Sequence, residues 1–79
     1  MTVTVLLFAS YAESLGTGTL TLDLPDGARV EDALSRVRAR SGSALPPRPL
    51  VAINQIYARI TDALRSGDEL AIIPPVAGG

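Results

Sequence analysis

The sequence predicts an α+β fold, in which a mixed sheet of four or five strands carries one main helix on one of its faces. Two observations predict the sheet: residues 19–24 alternate between polar and apolar side chains, and residues 3–8 and 69–73 are short, strongly apolar runs. The third observation is a helical apolar stripe in residues 30–40. One helix and several short strands within 79 residues fit a single small domain.

The first half of the chain gives two strands and a connection between them. Residues 3–8 are rich in β-branched side chains, which favours a strand, and residues 9–16 suit a short helical turn or loop that ends at Gly16. In residues 19–24 every second residue is leucine and is expected to face the core. Pro25-Asp26-Gly27 then ends this strand in a turn.

The helix of residues 30–40 has a clear amphipathic pattern. Its apolar side chains recur at spacings of three and four, and so form one stripe: Val30, Ala33, Leu34 and Val37. Acidic residues lie in its first turn and arginines in its last turn, which complements the helix dipole. We interpret the arginines as a solvated face rather than a basic binding patch.

The second half of the chain is predicted to contain a loop, a strand, a turn, a short edge strand, a second loop and a last strand. In chain order these elements are residues 43–49, 50–53, 54–55, 56–60, 61–68 and 69–73. Three prolines exclude regular structure from the first loop, and Pro74-Pro75 ends the last strand. This order of elements, with the apolar first and last strands adjacent in the middle of the sheet, meets the description of a β-grasp fold.

The two end strands also predict an interaction surface. Because one helix covers only one face of the sheet, the second apolar set of these strands is expected to face outward: Leu6, Phe8, Ala71 and Ile73. Large exposed apolar patches usually mark interaction sites, and Tyr57 of the edge strand is expected to join this one. The alternative is that loop 43–49 or loop 61–68 folds over the face.

The composition excludes several function classes. The chain has no cysteine and no histidine, so it lacks a thiol nucleophile, an imidazole base, a disulfide and the ligands of a conventional zinc site. Eight scattered acidic residues make catalysis by the chain alone unexpected, and no metal site is predicted. A net charge of −1 argues against nucleic-acid or membrane partners, and no targeting or membrane-spanning segment is recognisable, so a cytoplasmic location is expected.

Residues 74–79 are predicted to form an extended tail on a domain of residues 1–73. Its two prolines stiffen it, and its side chains then taper from valine through alanine to Gly78-Gly79. At about 3.1 Å per residue the tail reaches roughly 19 Å, enough to enter a narrow channel in another protein. The terminal carboxylate is ionised and a poor electrophile, so any reaction at its carbon would first require activation, most simply as an acyl-adenylate from ATP.

Three segments of the chain resemble the MoaD family, the small subunits of molybdopterin synthase. They are Val5-Leu6-Leu7-Phe8-Ala9, Val51-Ala52-Ile53-Asn54-Gln55 and the final block from Gly67 to Gly79, of which the last is the most specific. One departure is Tyr11-Ala12-Glu13, which lacks the arginine that members of the family often carry before the glutamate.

The resemblance implies a ubiquitin-like β-grasp fold and a role as a sulfur carrier. It implies that Gly79 is adenylated by an E1-like, MoeB-type enzyme using Mg-ATP, becomes a thiocarboxylate, and donates sulfur to cyclic pyranopterin monophosphate to form the molybdopterin dithiolene. The receiving partner is a MoaE-type large subunit, within a heterotetramer, and the tail residues that enter it are Pro75, Val76, Ala77 and Gly78. Phe8, Tyr57 and Ile73 match the hydrophobic interface of the family.

In the family the large subunit supplies the catalytic residues, so the resemblance implies a non-catalytic subunit that binds no cofactor itself. Two alternatives share the activated C-terminus. One is a sulfur carrier of the same fold for thiazole synthesis or tRNA thiolation. The other is a ubiquitin-like modifier attached to lysines of other proteins, for which this chain, whose seven cationic residues are all arginine, offers no acceptor side chain of its own.

Overall fold

The computed structural model describes residues 1–41 and 45–75. Their elements are, in chain order, β1 (Thr2–Leu7), α1 (Ala9–Leu15), β2 (Thr19–Asp23), α2 (Val30–Ser41), β3 (Leu50–Ile53), β4 (Ile56–Ala58) and β5 (Glu69–Ile73). The five strands form one sheet in the order β2-β1-β5-β3-β4. Residues 43 and 44 of the predicted loop and residues 76–79 of the predicted tail lie outside the described residues.

The pairing of the strands confirms the predicted mixed sheet. β1 runs parallel to β5, with Val5 beside Leu70, whereas the other three pairs are antiparallel. The first and last strands therefore lie side by side, and β5 occupies the centre of the sheet. β4 lies at one edge of the sheet, as predicted.

The core lies between α2 and one face of the sheet. The predicted stripe of α2 is fully buried, and the sheet positions that share this core are also buried: Val3, Val5, Leu7, Val51, Leu70 and Ile72. Each such side chain contributes about 1.5–3 kcal/mol when it leaves water. We call this helix-covered surface of the sheet the inner face, and the opposite surface the outer face.

The described parts of both long loops pack on the inner side. Leu45 and Leu64 belong to the same core cluster as the helix stripe. The second loop is held beside the start of α2, because the backbone N–H of Leu64 donates to the carbonyl of Ala28 at 2.9 Å and that of Val30 donates to the carbonyl of Asp62 at 3.0 Å. The described residues of these loops therefore do not cover the outer face, which was the alternative considered from the sequence.

Element boundaries differ from the sequence prediction at two places near the outer face. Of the helical turn or loop predicted for residues 9–16, the structure has the helix, and Phe8 is its N-cap residue instead of the last residue of β1. Gly16 ends the helix with a left-handed φ of 74°. The edge strand stops at Ala58 because the backbone N–H of Arg59 turns to the carboxylate of Asp62, at 2.9 Å.

Candidate functional site: an apolar groove beside the tail

Four outer-face residues lie in register across the sheet. Leu6 of β1 pairs with Ala71 of β5, Ala71 pairs with Ala52 of β3, and Ala52 pairs with Tyr57 of β4. Because side chains alternate along each strand, all four point away from α2. Ala52 is only 5% exposed, although it lies outside the core cluster, so its neighbours on the outer face cover it.

A second apolar row follows at the end of the sheet from which the chain leaves. Ile73 of β5 pairs with Leu50 of β3, and Phe8 follows directly after β1. Phe8 is 46% exposed and Leu50 is 50% exposed, while Ile73 is half-buried. These large apolar side chains meet solvent, which the sequence predicted for Phe8 and Ile73.

Members of both rows line a shallow groove of about 410 Å³. Its lining is almost entirely apolar and consists of Phe8, Ala52, Tyr57, Ala71, Ile73 and Pro74, with Gln55 from the β3–β4 turn. The small side chains of Ala52 and Ala71 leave the depression, and Tyr57, which is 73% exposed, borders it. The structure therefore brings the three predicted interface residues, Phe8, Tyr57 and Ile73, together around one groove.

The groove is continuous with the start of the predicted tail. β5 ends at Ile73, Pro74 lines the groove, and Pro75 is exposed just beyond it. The other predicted tail positions, Val76, Ala77, Gly78 and Gly79, lie outside the described residues.

A second concavity of about 400 Å³ lies between β4 and the loop that follows it. It contains the carboxylates of Asp62 and Asp68, and both are occupied by backbone groups. Asp62 accepts the N–H of Arg59 at 2.9 Å, and Asp68 accepts the N–H of Arg65 at 2.8 Å. These carboxylates hold turns together, so they are poor candidates for acid-base chemistry.

In residues 1–41 and 45–75, three or more His, Cys, Asp or Glu side chains nowhere gather closely enough to hold a metal ion. Neither described helix is long and apolar enough to cross a membrane.

The sequence prediction missed four members of the outer face: Leu50, Ala52, Gln55 and Pro74. The alternation of β3 carries the signal for Leu50 and Ala52, but using it requires knowing that β3 is the neighbour of β5. Gln55 lies in a turn and Pro74 follows the end of a strand, and at such positions the periodicity of the sequence does not show which face of the sheet a side chain lies on.

Sequence similarity to known proteins extends over nearly the whole chain. The model of the ThiS family matches residues 5–79. The chain belongs to the ThiS family. A molybdopterin synthase sulfur carrier subunit from Chlamydomonas reinhardtii is 41% identical over 83 residues, which cover 100% of both chains. One from Arabidopsis thaliana is 37% identical and covers 98% of this chain and 82% of its own.

Solved structures agree with the fold. The crystal structure of SAMP1 from Haloferax volcanii superposes with a TM-score of 0.85 at 31% identity and covers 100% of both chains. This ThiS-family chain thus has the ubiquitin-like β-grasp fold that its element order predicted, with its five strands and a packed main helix.

Proposed function

We propose that the protein is the sulfur carrier subunit of a molybdopterin synthase. The observation that carries the proposal is the apolar groove on the outer face, which adjoins Pro74 at the start of the Gly-Gly tail. A carrier that delivers its terminal atoms into another protein needs such a docking surface next to the tail. Full-length relatives named as sulfur carrier subunits of this synthase support the same role.

The proposed chemistry takes place at Gly79. A carboxylate oxygen of Gly79 attacks the α-phosphorus of Mg-ATP, pyrophosphate leaves, and an acyl-adenylate forms on a MoeB-type activating enzyme. A sulfide ion then attacks the acyl carbon and AMP leaves, which gives the thiocarboxylate directly. If the nucleophile is instead the persulfide of a sulfur donor, loss of AMP gives an acyl disulfide, and a second thiol attacks the donor's own sulfur, which releases the thiocarboxylate and leaves a disulfide on the donor side. The sulfur bonds to a carbon of cyclic pyranopterin monophosphate, and water then cleaves the bond between that sulfur and the acyl carbon of Gly79, which regenerates the carboxylate. Two such deliveries complete the dithiolene.

We assign the catalytic groups to the partners of the chain. The chain contributes a stiff, tapering tail and a groove, while a MoaE-type large subunit receives Pro75 to Gly79 and supplies the acid-base groups. The chain itself binds no cofactor in this scheme. The absence of cysteine and histidine from the sequence supports this division of labour, since those are the usual side chains for nucleophilic and acid-base work.

Intact-mass spectrometry tests the proposal directly. After incubation with the activating enzyme, Mg-ATP and a sulfur donor, the chain should become heavier by the difference between a sulfur and an oxygen atom. The product should then form molybdopterin when the large subunit and cyclic pyranopterin monophosphate are added. Deleting Gly79 should abolish both results, whereas Thr21→Ala, on the polar outer surface of β2, should leave both unchanged. A full-length chain that never gains sulfur would overturn the proposal.

A second function is favoured by one observation. SAMP1 from Haloferax volcanii is a small archaeal modifier protein, and its structure covers this whole chain with a TM-score of 0.85. The same adenylated Gly79 would then be attacked by a lysine amine of a target protein, with loss of AMP and formation of an isopeptide bond. Gly-Gly remnants on lysines of other proteins, lost when Gly79 is deleted, would support this modifier role.

A further inference from the structure

The turn between β3 and β4 has an unusual backbone. Both of its residues are left-handed, with φ of 49° at Asn54 and 71° at Gln55. Two-residue hairpin turns of this geometry favour glycine at the second position, because only glycine adopts positive φ without a steric penalty. Gln55 therefore holds a strained conformation that a glycine would relieve.

The two turn residues differ in what their side chains do. The amide nitrogen of Asn54 donates to the carboxylate of Asp68 at 2.9 Å, and its amide oxygen accepts the backbone N–H of Glu69 at 3.0 Å. Asn54 thus ties the hairpin to the start of β5, and its short side chain tolerates the left-handed region. Within the described part of the chain, the side-chain amide of Gln55 forms no such bond.

The position of Gln55 suggests why its strain is kept. Its side chain lines the outer-face groove beside Ala52 and Tyr57, where it is the one amide in a largely apolar lining. Strained residues that internal contacts do not explain occur preferentially at functional sites. An amide offers two donors and an acceptor, so it matches the N–H and C=O of a peptide group.

We propose that Gln55 fixes the register of the partner in the groove by hydrogen bonding, through its side-chain amide, to a peptide group of the protein that receives the tail. This inference rests on the proposed function, in which that protein is the MoaE-type large subunit. The continuity of the groove with Pro74 favours this occupant, since a protein that takes up the tail approaches the same end of the sheet. Apolar neighbours exclude water from such a bond and make its loss costly.

A purely structural role for Gln55 makes different predictions. If only its aliphatic stem mattered, as a cover for Ala52, methionine would replace it without loss, because methionine has similar length and no amide. If only the turn mattered, glycine would improve the protein in every respect. The proposed role instead requires that stability and partner affinity move in opposite directions in the glycine variant.

The test compares the wild-type chain with Gln55→Ala, Gln55→Met and Gln55→Gly. Titration calorimetry with the purified large subunit measures affinity, and thermal unfolding of the free chain measures Tm. All three variants should bind about three- to tenfold more weakly, the loss expected for one neutral hydrogen bond. Gln55→Gly should nevertheless have a Tm about 4 °C above that of the wild type, because its turn is relaxed.

The outcomes separate this inference from the proposed function. Wild-type affinity in the Met or Ala variant, or a joint rise of Tm and affinity in the Gly variant, would overturn the role of Gln55 and leave the proposed function standing. A wild-type chain that does not bind the large subunit at all would overturn the proposed function, and this inference with it.

Discussion

Both faces of the sheet carry large apolar side chains, but these side chains are buried on one face and exposed on the other. The inner face is buried under α2, with Val3, Val5 and Leu70 fully inaccessible, whereas Phe8, Leu50 and Tyr57 on the outer face remain 46%, 50% and 73% exposed. An apolar side chain on the inner face leaves water when the chain folds, so its burial stabilises the folded state. An exposed apolar side chain on the outer face leaves water only when another protein covers it, so its burial would stabilise the complex. We therefore expect substitutions on the inner face to lower the stability of the chain, and substitutions at exposed positions of the outer face to weaken its binding to a partner.

The strongest test of this separation is one substitution made on both faces. Leu70→Ala removes a fully buried side chain from the central strand and should lower the free energy of unfolding by about 2–5 kcal/mol. Leu50→Ala, on the adjacent strand, should lower it by less than about 1 kcal/mol, since Leu50 is already half in water. Urea denaturation measures both. Equal losses would mean that the two faces are not energetically distinct.

The second test reverses the comparison and measures binding. Phe8→Ala should weaken binding to the large subunit about 30-fold, because an aromatic side chain at the centre of an interface commonly contributes about 2 kcal/mol. The far-ultraviolet circular dichroism spectrum and the Tm should change little, because Phe8 is exposed in the free chain. Thr21→Ala, on the polar part of the outer face, serves as the control. An unchanged affinity for Phe8→Ala would show that the groove is not the docking surface.

The difference between the faces also explains what the sequence could predict. Period-two alternation in β1 and β5, and the stripe of α2, gave the inner face and the outward direction of Phe8 and Ile73. The assembly of the groove needed the strand order, because Ala52 and Tyr57 are separated from β5 in sequence and meet it only through pairing. Leu45 and Leu64 could not be assigned to the core, since loop residues have no periodicity.

A third test concerns the turn that joins the groove to the centre of the sheet. Asn54→Ala removes the amide that holds Asp68 and Glu69 and puts alanine into a left-handed conformation. We expect the free energy of unfolding to fall by about 1–2 kcal/mol, from the lost hydrogen bonds and the added strain. Chemical denaturation measures the loss. Wild-type stability would mean that the side chain of Asn54 does not anchor the turn.

The smallest expected change in the free energy of unfolding concerns Ala9, where the chain passes from the outer face to the inner face. Ala9 has a left-handed φ of 48° between the exposed Phe8 and the buried Tyr11. Ala9→Gly should raise the free energy of unfolding by about 0.5–1 kcal/mol. Glycine removes the steric penalty of the left-handed conformation in the folded chain, and this gain exceeds the extra conformational entropy that glycine gives the unfolded chain.

Gly16→Ala is the mirror-image control for this last prediction. Gly16 has a φ of 74° with nothing within 4 Å of an added Cβ, so alanine there should lower the free energy of unfolding by about 1 kcal/mol through the backbone alone. Urea titration of both variants compares the same conformational penalty in opposite directions. If Ala9→Gly destabilises the chain while Gly16→Ala behaves as expected, then contacts of the Ala9 methyl group, rather than its backbone conformation, determine how the chain crosses between the faces.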